Sequence, residues 1–383
     1  MSAQDASYVF YGAPHSLYSA KARSYLRKQG VAYRECMPAH PDFAGRILPQ
    51  IRRSIIPVLE TPSGEIIQDS IDIIDYFERR GARCSAYPTG PRQHALALWV
   101  EYYGSFSLLR HAMHYRWSFL DQQRAFLTDA FVTASGGEAA ATIMQRMQSY
   151  LPGLGVSGET IALIEASFER LLDILEVHFA EHPYLFGGQP SIGDYGLIGS
   201  LFAHLGRDPV PAGIMKTRAP KVFRWVERMN ACDPDMPEFG DREACFLAND
   251  EIPITLAPLW QHMAEEIFPE LSDKLAFLDG WVAEKAPVDG EPVSAKPHQR
   301  HVGAIRTQFR GVDIQAGVDP YLICQLRRID AGIARLVDAE QVSVRAYLQS
   351  VGLPAGLTAS RSYSVARRNN LEVWEIPPAT AVR

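Results

Sequence analysis

Two short stretches bring together residues that could bind a small charged ligand. The first is Ile55-Ile56-Pro57-Val58-Leu59-Glu60-Thr61, an apolar run interrupted by proline. Proline has no N–H, so within a strand pattern it belongs at the first residue or beside a bend, where a cis peptide bond is compatible. A cis bond between Ile56 and Pro57 would turn the N–H and C=O of Ile56 outward, where an extended peptide can pair with them as an added strand. The second stretch is Gln68-Asp69-Ser70, opening an amphipathic segment. A helix N-terminus offers free amides and the positive end of the helix dipole, and both attract a carboxylate. Together the two stretches describe a small cradle for a peptide-like anion.

The surrounding pattern supplies the elements that must hold this cradle. The apolar run, a Pro62-Ser63-Gly64 turn, the pair Ile66-Ile67 and the amphipathic segment read as strand, turn, strand and helix. Upstream, Ser7 to Tyr11 reads as a short strand ended by Gly12-Ala13-Pro14. Ser16 to Gly30 is an amphipathic helix with apolar positions at Tyr18, Ala22, Tyr25 and Leu26 and a glycine stop, and Val31 to Cys36 alternates as a strand. The order is β-α-β, a link from Pro38 to Ser54, then β-β-α.

The run Ile-Pro-Val-Leu-Glu at 56–60, followed by Gln-Asp-Ser-Ile-Asp-Ile-Ile-Asp-Tyr-Phe-Glu at 68–78, resembles the glutathione-binding half of the glutathione S-transferase superfamily. The element order is that superfamily's thioredoxin-like first domain, and the resemblance spans about residues 7 to 80. It implies that Ile56, before a cis Pro57, pairs with the cysteinyl backbone of glutathione. It also implies that Gln68, Asp69 and Ser70 hold the γ-glutamyl end. The superfamily places its thiol-activating residue in the loop before the first helix, which puts Ser16 where its serine and cysteine classes carry the catalytic side chain. Tyr11 is a competing donor that matches the tyrosine classes. Ser16 and Ser19 stand at the two positions of a redox C-x-x-C, and as serines they exclude dithiol exchange there. A hydroxyl can still donate to a bound thiolate and raise its share at neutral pH.

One departure stands out. Where much of the superfamily has Lys, Gln or His for the glycyl carboxylate, this chain has Ser54-Ile55, leaving Arg52 or Arg53 to reach instead. Arginine suits a carboxylate well. Plainer readings stand beside these: Ser16 as a helix N-cap, Arg53 as a solvated loop residue, and the whole unit as a strand-turn-strand-helix with no ligand.

Composition narrows the classes. At 383 residues the chain suits two or three domains, and 47% hydrophobic with 21% charged residues is ordinary for a globular protein. A net charge of −6 gives no nucleic-acid footprint. No apolar run approaches the roughly 20 residues of a membrane helix, and the N-terminus lacks a basic-then-apolar signal. Five scattered cysteines, Cys36, Cys84, Cys232, Cys245 and Cys324, have no metal-ligand spacing. Reduced thiols and a cytoplasmic location are expected.

The expected organisation is a thioredoxin-like domain at 1–81, a turn-rich linker at 82–92, an all-α transferase C-terminal domain at 93–231 and an α+β extension at 232–383 packed on it. Helices are expected at Gln93 to Tyr115, Asp121 to Arg146 with a break at Gly136-Gly137, Thr160 to Phe179, and Pro220 to Asn230. His111, His114, Tyr115 and Trp117 form a polar-aromatic cluster, read either as a substrate wall or as a plain helix end; a metal there lacks a third ligand. Ser191-x-x-Asp194 reads as a capping box that begins a buried helix and resembles the capping motif of the superfamily's helical domain. In the extension, Ile254 to Lys285 reads as helix and His301 to Ile314 as a hairpin around Arg310-Gly311. A helix follows from Asp319-Pro320 to about Ser350, and Leu371 to Ile376 is a strand. The extension is too apolar for a disordered tail and resembles the tail of longer bacterial transferase-like proteins.

The resemblance implies a glutathione-dependent transferase or lyase of the detoxifying kind; conjugation, ether cleavage and isomerisation share the same thiolate, and the sequence does not choose among them. Glutathione would be its co-substrate, with no metal, a hydrophobic, aromatic electrophile as partner, and the superfamily's usual homodimer. A non-catalytic binding or scaffold protein of the same fold is the alternative. A cysteine-dependent oxidoreductase would need Cys36 exposed beside the cleft. The enzymatic reading requires both a cis Pro57 and a groove free of the protein's own side chains.

Overall fold

The structure, a computed structural model, describes residues 7–294, 296 and 299–377. Its first unit runs β1 (Tyr8–Tyr11), α1 (Leu17–Lys28), β2 (Tyr33–Cys36), α2 (Leu48–Ile51), β3 (Val58–Glu60), β4 (Ile66–Gln68) and α3 (Ser70–Glu78). The strands form one sheet in the order β2-β1-β3-β4. β1 is parallel to β2, and β3 is antiparallel to both β1 and β4. Alternation along β1 divides its side chains between two layers. Phe10 enters the main core with Tyr25, Leu59 and Ile74, whereas Tyr11 joins Cys36, Phe43, Ile47, Ile51 and Val58 on the α2 side.

Local chemistry fixes the helix starts that face the cradle. Ser16 is the N-cap of α1, with extended backbone and a side chain that accepts from the N–H of Ser19 at 3.4 Å. Asp69 is the N-cap of α3, and its carboxylate accepts from the N–H of Ile71 at 2.8 Å. Its φ of +96° is a conformation that L-residues adopt at a cost of about 1–3 kcal/mol, and it is held here by its surroundings.

The second unit is helical: α4 (Pro91–Tyr102), α5 (Leu108–Trp117), α6 (Leu120–Ser135), α7 (Gly137–Gln148), α8 (Ile161–Glu181), α9 (Ile192–Ala203), α10 (Pro209–Arg218) and α11 (Pro220–Asn230). The single helix expected over 93–115 is two, joined by a π-helical turn at Tyr103–Ser107. That turn lies against α9, where a Cβ on Gly104 would come within 2.5 Å of the Gly196 backbone. The break between α6 and α7 falls at Gly136, with φ +81°. α9 begins with a full capping box between Ser191 and Asp194.

The third unit comprises α12 (Ala257–Lys285), the hairpin β5 (Gly303–Phe309) and β6 (Val312–Val318), α13 (Tyr321–Ala334), α14 (Asp338–Ser350), and a second hairpin, β7 (Ser364–Arg368) with β8 (Leu371–Glu375). The helix expected from 319 to 350 is therefore two helices. β7 is an addition to the sequence reading, as are α2 and α10. This unit packs along α4 through α13 and α14 and contributes to the same continuous core. No helix among the described residues is long and apolar enough to cross a membrane.

Candidate functional site

The cradle is built by the first unit. The Ile56–Pro57 peptide is cis, Pro57 is buried and Ile56 is half-buried. Among the described residues, neither the N–H nor the C=O of Ile56 has a hydrogen-bond partner, so its edge is free for strand-like pairing. Gln68 and Ser70 are buried beside it at the start of α3.

Ser16 is partly exposed at the start of α1. Because its oxygen accepts from Ser19, its own hydroxyl proton is left to donate, so capping and thiolate stabilisation are compatible in one side chain. The loop is fixed from behind by Arg116, which donates to the His15 carbonyl at 2.8 Å and pairs with the buried Asp208. Tyr11 lies opposite Val58, in the α2-side cluster against which Ile56 packs. Its ring is buried against Phe43, its hydroxyl accepts from Arg46 at 3.3 Å, and burial together with nearby Glu60 pushes its pKa up to about 12. The thiol of Cys36 is buried in the same layer with its pKa raised by burial, which removes the premise for a cysteine-based oxidoreductase.

The two ends of the cradle are occupied by the chain's own side chains. Arg53 is buried, and the carboxylate it holds is that of Glu372 on β8, with one N–H···O at 2.9 Å and a second, shorter contact. The same guanidinium donates to Gln68 Oε1 at 2.9 Å and to the Asn370 carbonyl at 3.3 Å. Arg367 on β7 reaches the other end. It donates to Gln68 Oε1 at 2.7 Å and to Asp69 Oδ2 at 3.1 Å, and its Nε lies 2.7 Å from Asp72 Oδ2. A further bond of 3.1 Å joins Arg367 to Glu372, and its guanidinium stacks over Tyr321. Burial would raise the Glu372 carboxyl, but Arg53, Arg367 and Arg300 outweigh it and hold the pKa down to about 2. Arg53 is thus neither a solvated loop residue nor free for a ligand carboxylate. Beside it remains a cavity of about 160 Å³, lined by Arg52, Arg53, Lys296, Arg300, Asp319 and Glu372 among others. That is below the roughly 300–1,000 Å³ of ordinary small-ligand pockets.

The hairpin that brings Arg367 and Glu372 is firmly seated. Trp374 is fully buried and stacks on Trp281, and Tyr363 donates to Asp279 at 2.7 Å. The N–H of Val293 bonds to the Glu372 carbonyl at 3.0 Å, and the N–H of Trp374 to the Glu291 carbonyl at 2.8 Å.

The expected substrate wall is corrected. His111, His114, Tyr115 and Trp117 are all buried, packed among side chains of the helical and C-terminal units, with Trp117 reaching the loop before α1 through Phe131 and His15. His111 lies 3.5 Å from the buried Glu266, which also contacts Ser167 and Arg310. His114 bonds to Ser118 and Glu165, Tyr115 stacks on Phe119, and Trp117 packs on Phe131. Among the described residues no group of three or more His, Cys, Asp or Glu side chains could hold a metal ion.

Arg367 and Glu372 are the site residues that sequence reasoning missed. The available signal was Asn369-Asn370, both with positive φ, between two alternating runs; that is a hairpin turn.

Comparison with known proteins agrees with this architecture. Residues 10–83 match the family model for the glutathione S-transferase N-terminal domain, and residues 158–228 match the model for the glutathione S-transferase C-terminal domain. Similar solved structures include glutathione transferase GSTFuA3 from Phanerochaete chrysosporium, at 17% identity and TM-score 0.41, covering 59% of this chain and 97% of that one. The beta-etherase LigF from Sphingobium sp. strain SYK-6 aligns at 17% identity and TM-score 0.43, covering 61% and 98%. A glutathione S-transferase of Ceriporiopsis subvermispora, in complex with glutathione, aligns at 18% identity and TM-score 0.40, covering 61% and 96%. No curated protein matches the chain significantly. The two domain matches support the glutathione S-transferase superfamily. The fold is its thioredoxin-like N-terminal domain with a four-stranded sheet, followed by its helical C-terminal domain and additional C-terminal helices and strands.

Proposed function

We propose that this chain is a glutathione S-transferase-like enzyme, although only one of the two conditions set by its sequence is met: Pro57 is cis, but Arg367 and Glu372 fill both ends of the groove, so glutathione would have to displace them. The observation that carries the reading is the unpaired backbone edge of Ile56 beside a cis Pro57, close in sequence to the helix start that bears Gln68, Asp69 and Ser70. Glutathione would pair with Ile56 along that edge and set its γ-glutamyl end at Asp69 and Ser70. Ser16 would donate to the sulfur. A free thiol has a pKa of about 8.5, so a donor and the N-terminus of α1 together raise its thiolate fraction at neutral pH. The thiolate then attacks a hydrophobic electrophile, forming a C–S bond as the leaving group departs with its electron pair. Holding both reactants close supplies much of the acceleration. The reading includes a cytoplasmic homodimer in which 1–81, 82–92, 93–231 and 232–383 are domain, linker, domain and extension. Calorimetric titration with glutathione and a conjugation assay with an aromatic halide test it. Saturable binding with turnover supports it, and absence of both refutes it.

A second reading is a transferase-fold binding or scaffold protein without chemistry. It is favoured by one observation: Arg53, Gln68 and Asp69 are already engaged by Arg367 and Glu372. A chain that binds no glutathione at millimolar concentration would establish it.

A further inference from the structure

We propose that the β7–β8 hairpin is a built-in occupant of the ligand groove, whose Arg367 and Glu372 must exchange partners with a zwitterionic peptide before that peptide can bind. The proposal takes the identity of the incoming peptide, glutathione, from the reading above.

The charge order of the contacts carries the inference. At the α3 end, the cation of Arg367 sits on Asp69 and Asp72. At the other end, the carboxylate of Glu372 sits on Arg53, and Gln68 between them accepts from both arginines. The groove therefore offers an acid for a ligand's ammonium and an arginine for a ligand's carboxylate, and the hairpin supplies one of each. Among the described residues, Arg367 is the hairpin side chain bonded to Gln68 and Asp69, and Glu372 the one bonded to Arg53. The middle of the groove, the Ile56 edge, stays unpaired.

The exchange is confined to side chains. Trp374, Tyr363 and Val365 anchor the hairpin in the core, so its backbone stays seated. Arg367 is a long side chain at the rim, 10% exposed, and can swing out on its own stem. A ligand with both charges replaces each broken ion pair with a new one. A ligand lacking either charge leaves the buried Arg53 or the partly buried Asp69 without a counter-ion, which is unfavourable. The groove thereby selects against anions and cations that lack the opposite charge, and glutathione binds against an internal competitor.

The experiment uses the full-length protein and calorimetry with glutathione and with N-acetylated glutathione, which lacks the ammonium. The variants are Arg367→Gln, Glu372→Gln and the charge-keeping Arg367→Lys, each checked by near-ultraviolet circular dichroism, which reports the Trp281–Trp374 stack. We expect Arg367→Gln to tighten glutathione binding at least fivefold, Arg367→Lys to stay within twofold of the unaltered chain, and the acetylated peptide to bind at least tenfold more weakly than glutathione. Glu372→Gln serves as the second competitor variant, with the same expected tightening, should Arg367→Gln lose the dichroic signal. Equal or weaker glutathione affinity in a folded Gln variant overturns the occupant while leaving the glutathione reading intact. Equal affinity for the acetylated peptide overturns the exchange. Binding of glutathione to none of the chains overturns both readings together.

Discussion

Arg53 and Glu372, 319 positions apart, form a buried ion pair that ties the loop after α2 to β8. A buried pair is a weak source of net stability, but removing one partner is costly because the other charge is left without water or a counter-ion. Arg53 would keep only Gln68 and the Asn370 carbonyl. Glu372→Ala is therefore expected to lower unfolding free energy by roughly 3 kcal/mol in urea titration. The double variant with Arg53→Met should regain most of that loss. A double variant no more stable than Glu372→Ala would show that the pair is not what couples the two segments.

Acid should loosen the same junction. Burial alone would raise the Glu372 carboxyl, but the arginines around it bring the pKa to about 2 in the folded chain. An acid with a depressed folded pKa contributes stability that is fully present above its unfolded value, near 4.3, and is lost as pH falls through the folded value. Between pH 4.5 and 2 this carboxylate should account for on the order of 3 kcal/mol of the stability lost. Hydrogen exchange of residues 364–375 across that range measures it. Glu372→Gln is expected to flatten the dependence, and an unchanged slope would assign the acid sensitivity to other carboxylates.

Ser16 can be asked to cap and to donate separately. Aspartate is as good an N-cap as serine, but an ionised carboxylate has no proton to give and repels a thiolate. Ser16→Asp should therefore leave stability within about 0.5 kcal/mol while cutting turnover with an aromatic halide at least tenfold. Ser16→Ala should lose about 1 kcal/mol as well. Equal turnover in Ser16→Asp and the unaltered chain would move the thiolate donor elsewhere.

The parts of the site that were legible in the sequence are those whose cause is local. A proline within an apolar run announced the Ile56–Pro57 bend, Asp-Ser before an amphipathic segment announced the start of α3, and Ser16 stood one residue before a helical pattern. What escaped is set by tertiary placement. The His111 to Trp117 cluster reads as a wall or as a core with the same residues, and only the packing of α6, α8 and α12 around it makes it core. Arg53 reads as a ligand arginine until Glu372 arrives from the far end of the chain. Tyr11 and Phe10 are neighbours in sequence, yet the pleat of β1 sends them to opposite layers, and the tyrosine goes to Arg46.

Asp194 offers a test of the fold that is independent of any ligand. Its carboxylate is fully buried and accepts from four donors: Leu185 N at 3.1 Å, Ser191 N and Oγ at 2.8 Å each, and Trp225 Nε1 at 3.2 Å. Those bonds favour the charged form, while burial opposes it and raises the carboxyl to about 6. Alanine would strand all four donors at a cost of about 1–3 kcal/mol each where no water enters, so Asp194→Ala should abolish soluble folded protein. Asparagine separates the two oxygens. Its amide oxygen can serve Leu185 and Trp225, but its NH2 then faces the Ser191 N–H, donor against donor, and reversing the amide moves the conflict to Trp225 and Leu185. Asp194→Asn should fold but lose at least 3 kcal/mol by urea unfolding, with glutathione affinity per folded molecule unchanged. A loss below 1 kcal/mol would mean that the capping box does not hold α9 in place.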